Sequence, residues 1–424
     1  MAKIKDALRE FNPWWKGAFE VEFKDRNIYG KIQKFLPLPQ MVALTGLRRT
    51  GKTTLMLKIA DDAIKKGYGP LDVIYFSFDE FPEIEIREII EQYEEITGNT
   101  FRQGKRLLLL DEIQKLNGWE NQLKAVYDTC KNTKIMISGS ESLFIRKKSK
   151  EALAGRIFEF TVEPLLFNEF LAFKGLKLKP TGLYEKELRK LFDEFALTMG
   201  FPELVGITDR EIIKKYVKEG IVEKVVYRDL AKLFKIKDIS VMDSLLRVIM
   251  EEPGQIIELS GLAHELNISR QTLSGYLGYL EKSFMVRKLY NFSRNRRKIE
   301  RKLKKYYPAM PSVSLLFSED DLSRSRVFEW LVIMQLKAEF FWRDPYKNEV
   351  DAVLVNGEPV PVEVKYGKIG FRGIEAFMKK FNVDRGCIIS RDEESKKEKD
   401  GKVISIVPAF KFFLNMPGQD KQKE

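Results

Sequence analysis

The stretch LTGLRRTGKTTLML, residues 44–57, joins the end of an apolar run to two glycines, a Lys-Thr pair and a second apolar pattern at helical spacing. From Gly46 to Thr53 it fits G-x-x-x-x-G-K-[ST] without a gap. MVAL before it reads as a buried strand, and TTLMLKIADDAIKK after it reads as a helix with an apolar stripe. Glycines at these places let backbone N–H groups curl around phosphate oxygens at a helix N-terminus, where the helix dipole favours anions. The candidate cradle is Gly46, Arg48, Arg49, Thr50, Gly51, Lys52, Thr53 and Thr54. Lys52 is expected at the β- and γ-phosphates and the Thr53 hydroxyl at Mg²⁺.

Such a loop needs an acid, and RLLLLDEIQKLNGWENQLKAVYD supplies two at the end of an all-apolar strand. Asp111 is the candidate for holding the metal and Glu112 for polarising the attacking water. A third strand, KIMISGSES, ends in hydroxyls, which makes Ser138 or Ser140 a candidate γ-phosphate sensor; a Ser/Gly turn after a buried strand reads equally well. Arg156 precedes another strand and is a candidate for stabilising transition-state charge, in its own chain or for a neighbouring subunit.

Composition narrows the chemistry. One histidine, His264, and two cysteines, Cys130 and Cys387, leave no material for His-based catalysis, Cys-rich metal sites or a disulfide framework. Any chemistry must use carboxylates, lysines, arginines, hydroxyls and Mg²⁺. The net charge of +12 favours polyanionic partners, and the 32% of charged residues fits a thermophile. No apolar run approaches the ~20 residues of a membrane helix, and the N-terminus lacks the apolar segment of a secretory signal. A cytoplasmic protein without membrane contact is expected.

Beyond residue 180 amphipathic helices take over. In SGLAHELNISRQTLSGYLGYLEKS, Leu259, Leu262, Ala263 and Leu266 repeat at helical spacing, and Ser269 is placed to cap a second helix. Helix, short turn, helix and an apolar strand-like segment make the winged helix-turn-helix pattern. Arg270, Gln271, Thr272 and Ser274 would then head a recognition helix in the major groove of DNA; packing against protein is the other use of this pattern. NFSRNRRKIERKLKKYYP follows, the densest basic stretch in the chain. Arg294, Arg296, Arg297 and Lys298, continued by Arg301, Lys302, Lys304 and Lys305 and flanked by Phe292, Tyr306 and Tyr307, suggest a salt-sensitive phosphate-binding strip or a solvated hairpin.

SRSRVFEWLVIMQLK reads as a helix carrying Glu329, and three strands follow, with Asp351 on the second and Glu363 and Lys365 on the third. The E-x-K spacing puts Glu363 and Lys365 on one face because strand side chains alternate. Asp351 and Glu363 are candidate ligands of a divalent metal, with Lys365 beside them to activate water. A helix and strand complete an α-β-β-β-α-β order.

GLRRTGKTT, LLLLDEIQKLNGWENQLKAVYD, SGSES, LAGRIFEFTVEPLLFNEFL and MGFPELV, in that order, resemble archaeal and bacterial AAA+-type ATPases of the MNS/STAND region of P-loop proteins, over roughly residues 10–365. The resemblance implies ATP and Mg²⁺ as cofactors, roles for Lys52, Thr53, Asp111 and Glu112 as given above, and Arg156 as an arginine finger in a homo-oligomer. It also implies that NPWW near residue 12 and RNIYGKI from residue 26 approach the adenine ring. Residues 315–410 resemble the PD-(D/E)XK nucleases, through Glu329, Asp351, Glu363 and Lys365, although EVD stands where that superfamily has Pro-Asp.

The expected fold is α/β: a P-loop AAA+-type parallel sheet over residues 1–180, a helical lid over 181–238, a winged helix-turn-helix over 239–312 and an α+β restriction-endonuclease-like domain over 313–424. The expected function is ATP hydrolysis coupled to DNA binding, with Mg²⁺-dependent cleavage as an extension. The alternative is a nucleotide-gated switch that assembles with protein partners and carries an inactive nuclease-like domain.

Overall fold

Five apolar runs of five or six residues form parallel strands: β1 (Met41–Thr45), β2 (Val73–Ser77), β3 (Arg106–Asp111), β4 (Thr133–Ser138) and β5 (Ile157–Thr161). The structure, a computed structural model, describes residues 2–140, 153–176, 182–234, 236, 238–295, 297, 299 and 303–415. The strand order is β2-β3-β4-β1-β5. Every residue of β1 and β3 is buried, as expected of central parallel strands covered on both faces. Two apolar clusters provide that cover, one around Phe76, Leu108 and Ile135, the other around Leu44, Met56 and Leu109. Because all five strands point the same way, the loops after β1, β3 and β4 emerge on one edge of the sheet. That edge is where such sheets bind ligands.

NPWW is held against β2. The Asn12 side-chain amide donates to Tyr75 O at 2.9 Å and its Oδ1 accepts from Tyr75 N at 2.7 Å, so it pairs with the outer edge of β2 as a strand would. Trp14 and Trp15 both donate their indole N–H to Val73 O, at 2.9 and 3.0 Å. Val73 and Tyr75 alternate with residues whose backbone faces β3, which leaves their polar groups outward and in need of partners. NPWW therefore closes a sheet edge.

The chain divides into two compact units, Met1–Pro164 and Leu165–Glu424. The boundary expected at 180/181 falls inside the second. That unit begins with helices, including Glu185–Thr198 and Arg210–Lys215, and continues through Ile239–Glu251, Leu259–Glu265 and Arg270–Lys282. Ser269 caps the last of these, its Oγ accepting from Thr272 N at 3.0 Å.

Nine strands follow or intervene: β6 (Gln255–Ile256), β7 (Val286–Asn291), β8 (Lys304–Pro308), β9 (Phe340–Arg343), β10 (Glu349–Asn356), β11 (Glu358–Lys365), β12 (Arg385–Ser390), β13 (Ser395–Lys399) and β14 (Lys402–Pro408). They form one sheet in the order β13-β14-β12-β11-β10-β9-β7-β8-β6. The boundary expected at 312/313 thus lies between strands of a single sheet, joined where β7 runs parallel to β9 through Tyr290↔Phe340 and Asn291↔Phe341. Helices Asp321–Leu336 and Arg372–Phe381 complete the α-β-β-β-α-β order. No helix of the described residues is long and apolar enough to cross a membrane.

Candidate functional site

In Met1–Pro164 the loop between β1 and helix Lys52–Lys65 is shaped by residues with positive φ: Gly46 at 135°, Arg49 at 64° and Gly51 at 92°. At Gly46 any side chain would run into the Val162 carbonyl, so close packing as well as backbone geometry requires glycine there. Lys52 is buried, and its ammonium donates to Gly46 O and Leu47 O, both at 2.9 Å. Thr50 Oγ1 donates to Leu47 O at 2.9 Å. The loop is also held from outside: Arg26 donates to Thr50 O at 2.8 Å and to Glu163 O at 2.7 Å. Arg48 and Arg49 are half-buried and Thr54 is exposed.

Asp111 ends β3 and gathers four donors. Thr53 Oγ1 and Tyr75 OH donate to its Oδ2 at 2.6 and 2.8 Å. Ser138 Oγ and Glu112 N, the latter at 3.0 Å, donate to its Oδ1. β4 lies between β1 and β3, so Ser138, at its C-terminal end, stands between the loop and the acid. Glu112 adopts a left-handed conformation, φ 53°. Burial, reinforced by the Asp111 charge against the opposing Lys52, raises its carboxyl above the usual range. Gln114 Nε2 donates both to Glu112 Oε2 at 2.5 Å and to Ser140 Oγ at 3.1 Å, which links the second acid to the second candidate serine.

Arg156 is not brought to this loop. Its carbonyl accepts from Met41 N at 2.8 Å, at the start of β1, and its guanidinium faces Asp128 at 3.5 Å. The start of β1 is roughly 13 Å along the strand from the loop. Arg156 therefore cannot reach phosphates bound in its own chain.

In Leu165–Glu424 the candidates Glu329, Asp351, Glu363 and Lys365 converge, and three residues not assigned to them join in. Lys305 is buried on β8, its ammonium 2.6 Å from Glu349 Oε1 and 3.6 Å from both Glu329 Oε1 and Asp351 Oδ1. Tyr307, on the same face of β8, donates to Glu329 Oε1 at 2.7 Å. Asp351 Oδ2 accepts from Val364 N at 2.8 Å, and Lys365 pairs with Glu363 Oε1 at 2.7 Å. Glu363 Oε2 is buried with no hydrogen-bond partner. Burial first, and then the Asp351 charge, push Glu363 up to about 8. Burial and Asp351 likewise raise Glu329.

This arrangement corrects one expectation. Lys305 belongs to the acidic cluster and not to a solvated phosphate-binding strip, and the flanking Phe292, Tyr306 and Tyr307 are buried. The Lys305 ammonium stands 3.6 Å from Asp351, which with Glu363 is a candidate metal ligand. Among the described residues no group of three or more His, Cys, Asp or Glu is set to hold a metal ion.

The candidate nucleic-acid residues are mixed in position. Arg270, Gln271 and Ser274 are exposed at the start of their helix, while Thr272 is half-buried. Arg294 is exposed but donates to Phe381 O at 2.6 Å; Arg297 is exposed; Arg296 and Lys298 lie outside the described residues.

Sequence reasoning missed Arg26, Tyr75, Gln114 and Glu349. Glu349 had a signal, because it alternates with Asp351 in EVD and must share its face. Gln114 lies two residues beyond Glu112, whereas Arg26 and Tyr75 act across long sequence separations that no local pattern marks.

Comparison with known proteins places this geometry. Residues 38–171 match a family model described as an AAA domain, and residues 189–313 match one described as a domain of unknown function. Two uncharacterized proteins of Methanocaldococcus jannaschii are similar over most of their length. One is 28% identical, with 93% of each chain covered, and the other 27% identical, covering 91% of this chain and 87% of that one. The crystal structure of Cdc6p from Pyrobaculum aerophilum aligns over 76% of this chain and 98% of that chain, at 13% identity and a TM-score of 0.31, too distant to bear on function. Residues 38–171 are thus similar to an AAA domain, and both the loop after β1 and the acid at the end of β3 lie inside that match.

Proposed function

We propose that this protein binds ATP with Mg²⁺ at residues 46–54 and hydrolyses it, and that nucleotide state governs DNA binding by Leu165–Glu424. The observation that carries this reading is the 2.6 Å hydrogen bond from Thr53 to Asp111, which brings the end of the loop and the acid of β3 to one point. A buried lysine folded onto loop carbonyls, glycines with positive φ and an acid ringed by hydroxyls are the donor set an Mg²⁺-nucleotide needs. Thr53 and Asp111 would hold the metal, whose charge, when bound, offsets that of the phosphates. Lys52 exchanges its loop carbonyls for phosphate oxygens. Glu112, oriented by Gln114 and raised by burial toward the range where a general base works, takes the proton of the attacking water. Ser138 and Ser140 report phosphate occupancy to the two acids they border.

Arg156, out of reach in its own chain, serves a neighbouring copy. Arg156→Ala should lose turnover while keeping ATP binding; a monomer with full turnover overturns the trans role. Arg270, Gln271 and Ser274 face DNA as the head of a winged-helix recognition helix, with the helices after residue 182 as a lid. Gel shifts with and without ATP test the coupling, and absence of any polynucleotide binding at physiological salt in every nucleotide state sinks it. ATP turnover in wild type against Lys52→Ala tests the loop itself.

For the restriction-endonuclease-like segment, the Lys305 contacts favour the second reading, in which it recognises a partner without cutting. A plasmid-nicking assay with Mg²⁺, comparing wild type with Glu363→Ala, decides: nicking that Glu363→Ala abolishes would restore cleavage.

A further inference from the structure

We propose that Lys305 is the resident cation of the acidic cluster in Leu165–Glu424, standing where a nuclease of this pattern would hold a divalent metal. The inference is independent of the ATPase reading, because every residue involved lies outside the P-loop domain.

Three carboxylates, from helix Asp321–Leu336 and from β10, point at one buried ammonium. Their remaining capacity is largely committed: Asp351 to Val364 N, Glu329 to Tyr307 OH, Glu349 also to Arg343 at 3.4 Å. A divalent cation bound by Asp351 and Glu363 would sit within a few ångströms of the Lys305 charge, in a buried setting where like charges repel far more than in water. Glu363 Oε2, buried and without a hydrogen-bond partner, is a coordination direction the cluster leaves unfilled. One lysine is a poor match for four carboxylates, and Lys365 and Arg343 complete the compensation from the flanks.

The placement has a mechanical side. Lys305 comes from β8, and β7 beside it meets β9 through two residue pairs and the Asn291 side chain bonded to the Arg343 backbone. The ammonium therefore ties the helix-turn-helix side of this sheet to the helix and strand that carry Glu329, Glu349 and Asp351. A cation supplied by the chain itself makes that tie independent of metal supply.

The test is Mn²⁺ binding by the full chain, without nucleotide, followed by electron paramagnetic resonance in wild type, Asp351→Asn, Lys305→Met and Lys305→Met/Asp351→Asn. Wild type and Asp351→Asn should bind the same amount of Mn²⁺. Lys305→Met should gain one further equivalent, and the double variant should lose it. A wild-type equivalent that Asp351→Asn removes overturns the proposal, as does a folded Lys305→Met chain that gains none. If Lys305→Met fails to fold, Lys305→Gln replaces it, and the wild-type comparison stands on its own. ATP turnover in the same preparations reports on the loop separately.

Discussion

The Arg26 guanidinium forks onto the carbonyls of Thr50 and Glu163 and so fixes the loop to the segment after β5. Removing it leaves two carbonyls short of donors, at a cost of about 1–3 kcal/mol. Arg26→Ala should therefore lower stability in urea titrations and, on the proposed function, weaken ATP binding. An unchanged Kd would show that the loop holds its shape alone. Glu363 gives a pH test. Its carboxyl is pushed up to about 8 from an ordinary 4.5, so between those values the folded chain keeps a proton that the unfolded chain has lost. Stability then falls as pH rises through that window, and the full penalty is present above pH 8. Glu363→Gln cannot ionise and should raise Tm relative to wild type above pH 8. The gain should shrink toward pH 4.5, and a difference independent of pH would refute the assignment.

Helix Arg372–Phe381 approaches the acidic cluster through Gly373, where an added Cβ would run into the Glu349 carbonyl and lie 3.3 Å from Glu363 Oε2. Overpacking of this kind costs about 1–3 kcal/mol. Gly373→Ala should show that loss in a urea titration, and should shift β10 enough to weaken the Lys305–Glu349 pair. At this scale the sequence was legible wherever a local rule set the geometry. The loop follows from two glycines that need unusual φ, Asp111 from the end of an apolar strand, the Ser269 cap from its helix start, and the Glu363–Lys365 face from strand alternation. What was not legible depended on long separations. Lys305 reads as one member of a basic run because its partners stand 24 to 46 residues further along, and it takes the pairing of β7 with β9 and the packing of helix Asp321–Leu336 on β8 to bring them together. Arg26 and Asn12 work on backbone carbonyls and amides, which have no signature in a neighbouring sequence.

For the molecule as a whole, two compact units need not melt together, and a single transition is not assured. A ligand stabilises only what it binds, by about 2.7 kcal/mol at a hundredfold excess over Kd. Calorimetry with ATP and Mg²⁺ should thus raise the transition of Met1–Pro164, and Lys52→Ala should remove the shift. If DNA is held by Arg270 and its neighbours together with the basic stretch, affinity should fall steeply with salt, and Arg270→Ala should reduce it. The closure of β2 by Asn12, Trp14 and Trp15 has a consequence for handling the protein. A chain trimmed to begin after Trp15 would keep its loop and its acids, yet expose a bare row of donors and acceptors along Val73 and Tyr75 that templates strands from other molecules. Its failure would appear as turbidity and loss of soluble yield long before any loss of helix signal.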